Sequence, residues 1–342
     1  MKAVIIPHHG GAEVLSLVRD FARPDPSPGE VLVRVRATTV NQMDLLVRNG
    51  YPNRVIPLPH IPGGDVAGTV ERCGDGVHSV KAGARVVVYP LISCGKCSLC
   101  TSGKENICAN WQTVGIHRWG GYAEYVCIPE RNVMALPENL PFDVAATLPV
   151  AGLTAHHAIV TVGKLAAGEL AVVWGAAGGL GSMAVQIAKT RGARVAAVVG
   201  TAAHAAAAEK IGADFIIDRS KSDVAGEIKK IEPEGADLVF DVVGAPTFPT
   251  SLSLLKNGGR LLCCGILGGR ETPLNIHTTY FHHLSVHGLF LGTRSDMEGV
   301  MALAATGAIH PLIDQSLPLE EAVRAQRIVE TGQQAGKIVL IP

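Results

Sequence analysis

Cys94, Cys97, Cys100 and Cys108 fall within fifteen residues, at spacings of two, two and seven intervening positions. Two Cys-x-x-Cys steps and a fourth thiol returning from a longer loop can surround one tetrahedral zinc. Four sulfurs close the coordination shell, so such an ion, expected at one per chain, clamps a loop and offers no position to a substrate. The alternative, four free surface thiols, is chemically hazardous. A second pattern is built from glycine. "AAGGLG" at 176–181 directly follows the apolar run "LAVVW" and opens an amphipathic stretch. Glycines in that setting permit a tight turn and let a pyrophosphate rest on the helix N-terminus, which makes Ala177, Gly178, Gly179, Leu180 and Gly181 candidate dinucleotide contacts. About 20 residues further on, an acidic side chain would bind the ribose diol of NAD. The chain has Gly200 and Thr201 there. Without a carboxylate to repel a 2′-phosphate, and with the Thr201 hydroxyl and the Arg219 guanidinium available to it, NADP is favoured over NAD. A solvated surface arginine is the plainer reading of Arg219.

These groups need two kinds of scaffold to position them. Up to about residue 140, short β-branched runs such as "EVLVRVRAT" (30–38), "VAGTVERCG" (66–74), "ARVVVYP" (84–90) and "AEYVCIP" (123–129) alternate with Pro and Gly turns. That texture predicts a β-rich, barrel-like module. From about 151, buried strands and helices take turns: "ELAVVW", the glycine turn and its helix, "RVAAVV", an Ala-rich helix, "DFIID", a helix near 222–231, "ADLVFDVVG", a helix near 247–255 and "RLLCCGI". This is the signature of βαβ units on a parallel sheet, an α/β doubly wound Rossmann arrangement. Around 282 the pattern turns mixed, and "GKIVLIP" reads as a last strand returning to the first module. The expected division is 1–150 with 282–342, carrying the cysteine lobe at 94–108, and 151–281.

Bulk properties narrow the function further. Thirty Lys and Arg balance thirty Asp and Glu, with 47% hydrophobic and 18% charged residues. A neutral chain of this kind gives no electrostatic footing to nucleic acid or anionic membrane. No apolar run reaches the roughly 20 residues of a membrane span. The opening "MKAVIIPHHG" is too short in its apolar part for a signal peptide, so a reducing cytoplasm is the expected location.

A β-rich module with a four-cysteine lobe, followed by "GLTAHHAI" and "WGAAGGLGSMAVQIAK", resembles the medium-chain dehydrogenase/reductase superfamily over the whole chain. The resemblance implies a GroES-like catalytic domain around an inserted Rossmann domain, a substrate cleft between them, and a homodimer or homotetramer. It implies that Thr154 contacts the nicotinamide end, and that "DVVG" (241–244) and "CGI" (264–266), hence Val243, Gly265 and Ile266, line the same end. Zinc alcohol dehydrogenases of this superfamily hold a catalytic zinc with Cys, His and a second Cys or an acid. At the matching positions this chain has Asn41, Gly64 and Val150. "NQMDLLVRNGY" is similar instead to zinc-independent quinone oxidoreductases and enoyl reductases. On that basis Asn41 and Tyr51 are candidate polar groups at the reacting end, Asp44 orients neighbours, and Arg48 is a salt-bridge partner. Many zinc-independent members lack the cysteine lobe that this chain keeps. The expected activity is NAD(P)H-dependent reduction of a quinone or a conjugated carbonyl or enoyl thioester. The rivals are an alcohol dehydrogenase with a rearranged metal site at His60 and Asp44, and a nucleotide-binding protein without turnover. His156, His157 and the histidines of "YFHHLSVHG" (280–288) read as core or surface residues.

Overall fold

Val31, Val33 and Val35 alternate with Arg34 and Arg36 along Glu30–Thr39, so one face of this ten-residue strand is apolar throughout. In the computed structural model, which describes residues 1–51 and 54–342, those valines pack on Val66, Val70, Val86, Val88, Val126 and Ile128. The strand is the hub of a unit formed by Met1–Val150, Thr293–Ala305 and Ile313–Pro342. Ala67–Cys73 lies antiparallel along one edge, and Tyr125–Pro129 pairs with the first half of the other. Gly68 is required by that packing, because a Cβ there would fall 2.1 Å from Arg34 O. The far half of the hub strand pairs antiparallel with the C-terminal strand Lys337–Ile341, with Val339 opposite Thr39 and Leu340 opposite Thr38. Continued for two residues, this register sets Lys337 against Asn41.

The second unit, Ala151–Gly292 with Thr306–Leu312, holds a six-stranded parallel sheet. Its order is Phe215–Asp218, Arg194–Val199, Leu170–Trp174, Ala236–Asp241, Leu255–Cys263 and Ser285–Gly288. Leu170–Trp174 and Ala236–Asp241 are buried along their whole length, as expected for central parallel strands covered on both faces. Strand order reverses direction between these two, and the carboxyl ends of strands at such a point are where doubly wound sheets bind ligands. One expectation needs correction. The sequence suggests that the chain returns to the first module at 282, but Ser285–Gly288 pairs with Arg260–Cys263 as the sixth strand of this sheet, and the return falls at Thr293. The polar residues and glycine of "SVHG" hide a strand that is exposed because it lies at the edge.

Asn41 caps the helix Gln42–Asn49, and Asp44 at its third position accepts the Asn41 N–H at 2.8 Å and the Gly63 N–H at 2.9 Å. Burial pushes the Asp44 carboxyl up to about 7, with these N–H groups and Lys337 opposing the rise and Asp65 adding to it. A carboxyl whose folded pKa lies above its unfolded value keeps an extra proton in the folded chain between roughly pH 4 and 7. Stability therefore falls as pH rises through that window and levels off above it, by on the order of 4 kcal/mol for this group. Replacement Asp44→Asn should remove that slope. Urea midpoints at about pH 4.5 and pH 8 are then expected to lie closer together than in the unaltered protein.

Candidate active site and metal centre

The three positions where zinc ligands would be sought are neighbours in space. Asp65 is fully buried and its Oδ1 accepts the Val150 N–H at 2.8 Å. A Cβ placed on Gly64 would sit 3.2 Å from Val150 Cγ2. Asn41 Nδ2 donates to Asp65 Oδ2 at 2.7 Å, and the Thr39 hydroxyl donates to the same oxygen. Lys337, 4% exposed, completes the group: its Nζ lies 2.5 Å from Asn41 Oδ1, 3.1 Å from Val40 O and 3.3 Å from Asp65 Oδ2. A carboxylate, an ammonium, an amide and a hydroxyl thus share one buried network. None of the ordinary transition-metal donors, imidazole or thiolate, is part of it.

The other candidates here are engaged elsewhere. Asp44 is occupied by its two backbone N–H groups. His60 is buried with Nε2 3.0 Å from Gly115 O, and loss of solvent holds its pKa below the usual histidine value. Among the described residues, the four cysteines are the one group of three or more His, Cys, Asp or Glu side chains with donor atoms close enough to share an ion. Arg48 is fully buried and bonds Glu330 and Gln326, each at 2.8 Å, an ion-pair role. Tyr51 follows Gly50 at the opposite end of the helix that Asn41 caps. Eight residues of helix, about 12 Å of rise, separate their backbones. Tyr51 packs on the apolar cluster of Val47 and Tyr122, with the Arg54 guanidinium 5.7 Å from its ring centre.

The cysteine lobe is built from short elements. Cys94 follows the strand Leu91–Ile92, Cys97 caps the one-turn helix Ser98–Thr101 that carries Cys100, and Cys108 ends the turn Glu105–Ile107. Sulfur separations are 3.5 Å for Cys97–Cys100, 3.8 Å for Cys94–Cys100 and 3.9 Å for Cys97–Cys108. A tetrahedron with Zn–S bonds of 2.3 Å has edges of about 3.8 Å, whereas a disulfide needs about 2.05 Å. The donor set and its spacing fit zinc.

In the second unit, the candidate cofactor residues other than Thr154, which is on the helix Leu153–His156, follow the carboxyl ends of the sheet strands. The turn after Trp174 begins at Gly175, whose φ of +61° is left-handed, and Gly179–Thr190 is the helix it opens. Gly181 allows this helix to lie on the turn, since a Cβ there would be 2.2 Å from Gly175 O. At Gly178 a Cβ would meet one atom at 3.3 Å, leaving that flank open for approach. After the next strand come Gly200 and Thr201. Thr201 caps the helix Ala202–Lys210 by accepting the His204 N–H at 3.2 Å, which leaves the hydroxyl proton to donate. Arg219 is exposed, with Nη2 3.3 Å from where a Cβ on Gly200 would stand. Its guanidinium fills the space a side chain at 200 would take. Val243 and Gly265 belong to two segments in close contact, because a Cβ on Gly265 would lie 1.7 Å from Val242 O. Ile266 is 44% exposed, and Thr154 is buried.

Sequence reasoning missed Lys337 and Asp65 as members of the site, and Asp241. Each is a charged residue inside an apolar run, in "GKIVLIP", "GGDVAG" and "LVFDVV", and a buried charge requires a partner. The Asp241 carboxylate accepts from Val243 N, Gly244 N, Thr247 Oγ1 and Ser251 Oγ at 2.7–3.0 Å, which shapes the "DVVG" turn.

Two family models match the chain: "Alcohol dehydrogenase GroES-like domain" over residues 27–138 and "Zinc-binding dehydrogenase" over 179–306. An alcohol dehydrogenase of Geobacillus stearothermophilus is 34% identical over 324 residues, covering 94% of this chain and 95% of that protein. The quinone oxidoreductase of Homo sapiens is 31% identical over 349 residues, covering 100% and 98%. A crystal structure of an NAD-dependent alcohol dehydrogenase superposes with a TM-score of 0.96 at 36% identity, over 100% of both chains. With a GroES-like β-rich domain, a Rossmann domain and relatives of both names over its full length, the chain belongs to the medium-chain dehydrogenase/reductase superfamily of oxidoreductases.

Proposed function

We propose that this oxidoreductase reduces quinones or α,β-unsaturated carbonyl compounds, enoyl thioesters included, with NADPH and with zinc in the cysteine lobe alone. The observation that carries the reading is chemical: Asn41, Gly64 and Val150 stand where the alcohol-reducing relatives would place metal donors, and a lysine ammonium sits on Asn41. Reducing an isolated ketone concentrates charge on one oxygen and calls for a Lewis acid or a strong proton donor. A conjugated acceptor spreads that charge over an enolate or an aromatic ring, for which hydrogen bonds suffice. When bound, the nicotinamide supplies the hydride. Asn41 is the group of this chain best suited to donate a hydrogen bond to the acceptor oxygen, Asp44 holds the Asn41 backbone, and Tyr51 forms a wall of the site. The glycine turn 176–181, with Thr154, Val243, Gly265 and Ile266, would hold the cofactor. The relatives named alcohol dehydrogenase favour a second reading, a dehydrogenase with an unconventional metal. Stirred assays of NADPH oxidation with a quinone, a small enone and a simple ketone separate the two. Turnover of the first two, unaffected by a chelator too weak to strip the cysteine lobe, is expected together with about one zinc per chain by metal analysis. Two zincs, or ketone turnover lost on mild chelation, would give the site to the dehydrogenase reading.

Preference for NADPH rests on Gly200, Thr201 and Arg219. Arg219→Ala should raise KM for NADPH about tenfold or more by removing a charge-assisted contact, with little effect on KM for NADH. Gly200→Asp brings a carboxylate against Arg219 and should invert the preference, since it competes for the guanidinium and repels a 2′-phosphate. Equal responses to both cofactors would leave Arg219 as a surface residue.

We further infer that the chain forms a homodimer through the edge strand Ser285–Gly288. Leu267, Leu274, Ile276, Tyr280 and Phe281 are each more than 40% exposed, in one stretch leading to that strand. An edge with open backbone groups and an apolar flank suits a second copy related by a two-fold axis, which continues the sheet. Light scattering should give about 71 kDa, twice the 35.7 kDa of one chain, and about half that for a Tyr280→Glu/Phe281→Glu variant.

A further inference from the structure

Lys337 has three N–H groups and three acceptors: Val40 O, Asn41 Oδ1 and Asp65 Oδ2. Its donors are spent, and at 4% exposure it meets almost no water. It therefore reaches no substrate itself. Asp65, at 0% exposure, is equally occupied, by Thr39, Asn41, Lys337 and Val150 N. Asn41 is different. Its Oδ1 faces the ammonium and one Nδ2–H is committed to the Asp65 carboxylate, which fixes the amide in one orientation, because the flipped form would set N–H against ammonium and carbonyl against carboxylate. Asn41 is the half-buried member of the group, and its second Nδ2–H has no partner within this network.

We propose that Lys337 and Asp65 are positioning residues that clamp the Asn41 carboxamide and polarise it, so that its remaining Nδ2–H donates to the acceptor oxygen on which charge develops during reduction. A cation on the amide oxygen draws electron density from the nitrogen through the amide resonance and makes each N–H a stronger donor. A fixed donor also costs no reorganisation when the charge appears, and this preorganisation is the source of such stabilisation. Lysine does through an amide part of what a metal ion does by direct contact. The donation step rests on the reduction of conjugated acceptors proposed above, whereas the clamp does not.

Two measurements on the full-length protein test the two parts. In the spectrum of 15N-asparagine-labelled protein, the Asn41 side-chain amide signals are identified by their loss in Asn41→Ala. They should shift in Lys337→Met and return toward their original position in Lys337→Arg. Since Lys337→Met leaves the Asp65 charge buried and unpaired and can prevent folding, the doubly neutral variant Asp65→Asn/Lys337→Met is the companion, with the same shift expected. Signals that stay in place in the folded variants overturn the clamp, whatever the substrate. In NADPH oxidation with a quinone or enone, both charge-removing variants should lower kcat about tenfold or more while KM for NADPH changes less than about twofold. In an Asn41→Ala background the same changes should add almost nothing, as residues acting as one unit are non-additive. An equal further loss in that background means that Lys337 acts structurally and overturns the donation step. If the unaltered protein reduces no conjugated acceptor, the proposed function fails together with the donation step, and the amide spectrum still decides the clamp.

Discussion

The carboxylate of Asp65 is the constraint around which the first unit is arranged. A buried, ionised carboxylate without partners costs several kcal/mol, so the chain must deliver donors to it from distant segments. Thr39 and Asn41 come from the end of the hub strand, Val150 from the last residue before the second unit, and Lys337 from the C-terminal strand. Only the antiparallel pairing of Val339 with Thr39 brings the lysine to the right height. The closing of the fold by its last strand and the wiring of the candidate site are thus one event. A register shift of one residue would turn Lys337 to the other face of the sheet and leave Asp65 unpaired.

The cysteine lobe and the region around Asn41 differ in character. The cysteine lobe hangs from short turns with little regular structure, and three of its sulfur separations, 3.5–3.9 Å, stand near the edge of a zinc tetrahedron, with all four sulfurs within 4.8 Å of one another. Cys94 N–H donates to Cys108 Sγ, and the Arg131 guanidinium and the Arg294 N–H reach the Ser93 carbonyl and the Glu105 carboxylate, so a metal ion there would add to an order that the chain already begins. At Asn41, Gly64 and Val150 the converse holds. The space is filled by Val150 Cγ2, and the polarity is satisfied by a lysine and a carboxylate. On the proposed reading, a charge belonging to the chain would stand where the alcohol-reducing relatives would place an ion.

How much of this was legible in the sequence depended on whether the signal was local. The hub strand declared itself by alternation in "EVLVRVRAT", the parallel strands by unbroken apolar runs, and the glycine turn by its place between strand and helix. The cysteine lobe was legible because its spacing is the chemistry. The strand Ser285–Gly288 was not, as an exposed edge strand with a serine, a histidine and a glycine lacks both alternation and an apolar run. The Asp65–Lys337 pair was also hidden, for a different reason. Its members are 272 residues apart and meet only through sheet register, which no local pattern encodes.

The wiring also restricts the chemistry that the proposed site would support. An amide N–H, even polarised by a neighbouring ammonium, carries a partial charge and cannot match a divalent ion facing a nascent alkoxide in a water-poor pocket. Its contribution is large only where the developing charge is already shared across several atoms. A donor of this strength lowers the barrier for an enolate or a quinol oxygen, and leaves that for an isolated alkoxide high. Under the proposed function, substrate range in this chain would then follow from electronic structure ahead of shape: acceptors able to delocalise the incoming electron pair would be reduced, and simple ketones of the same size would not.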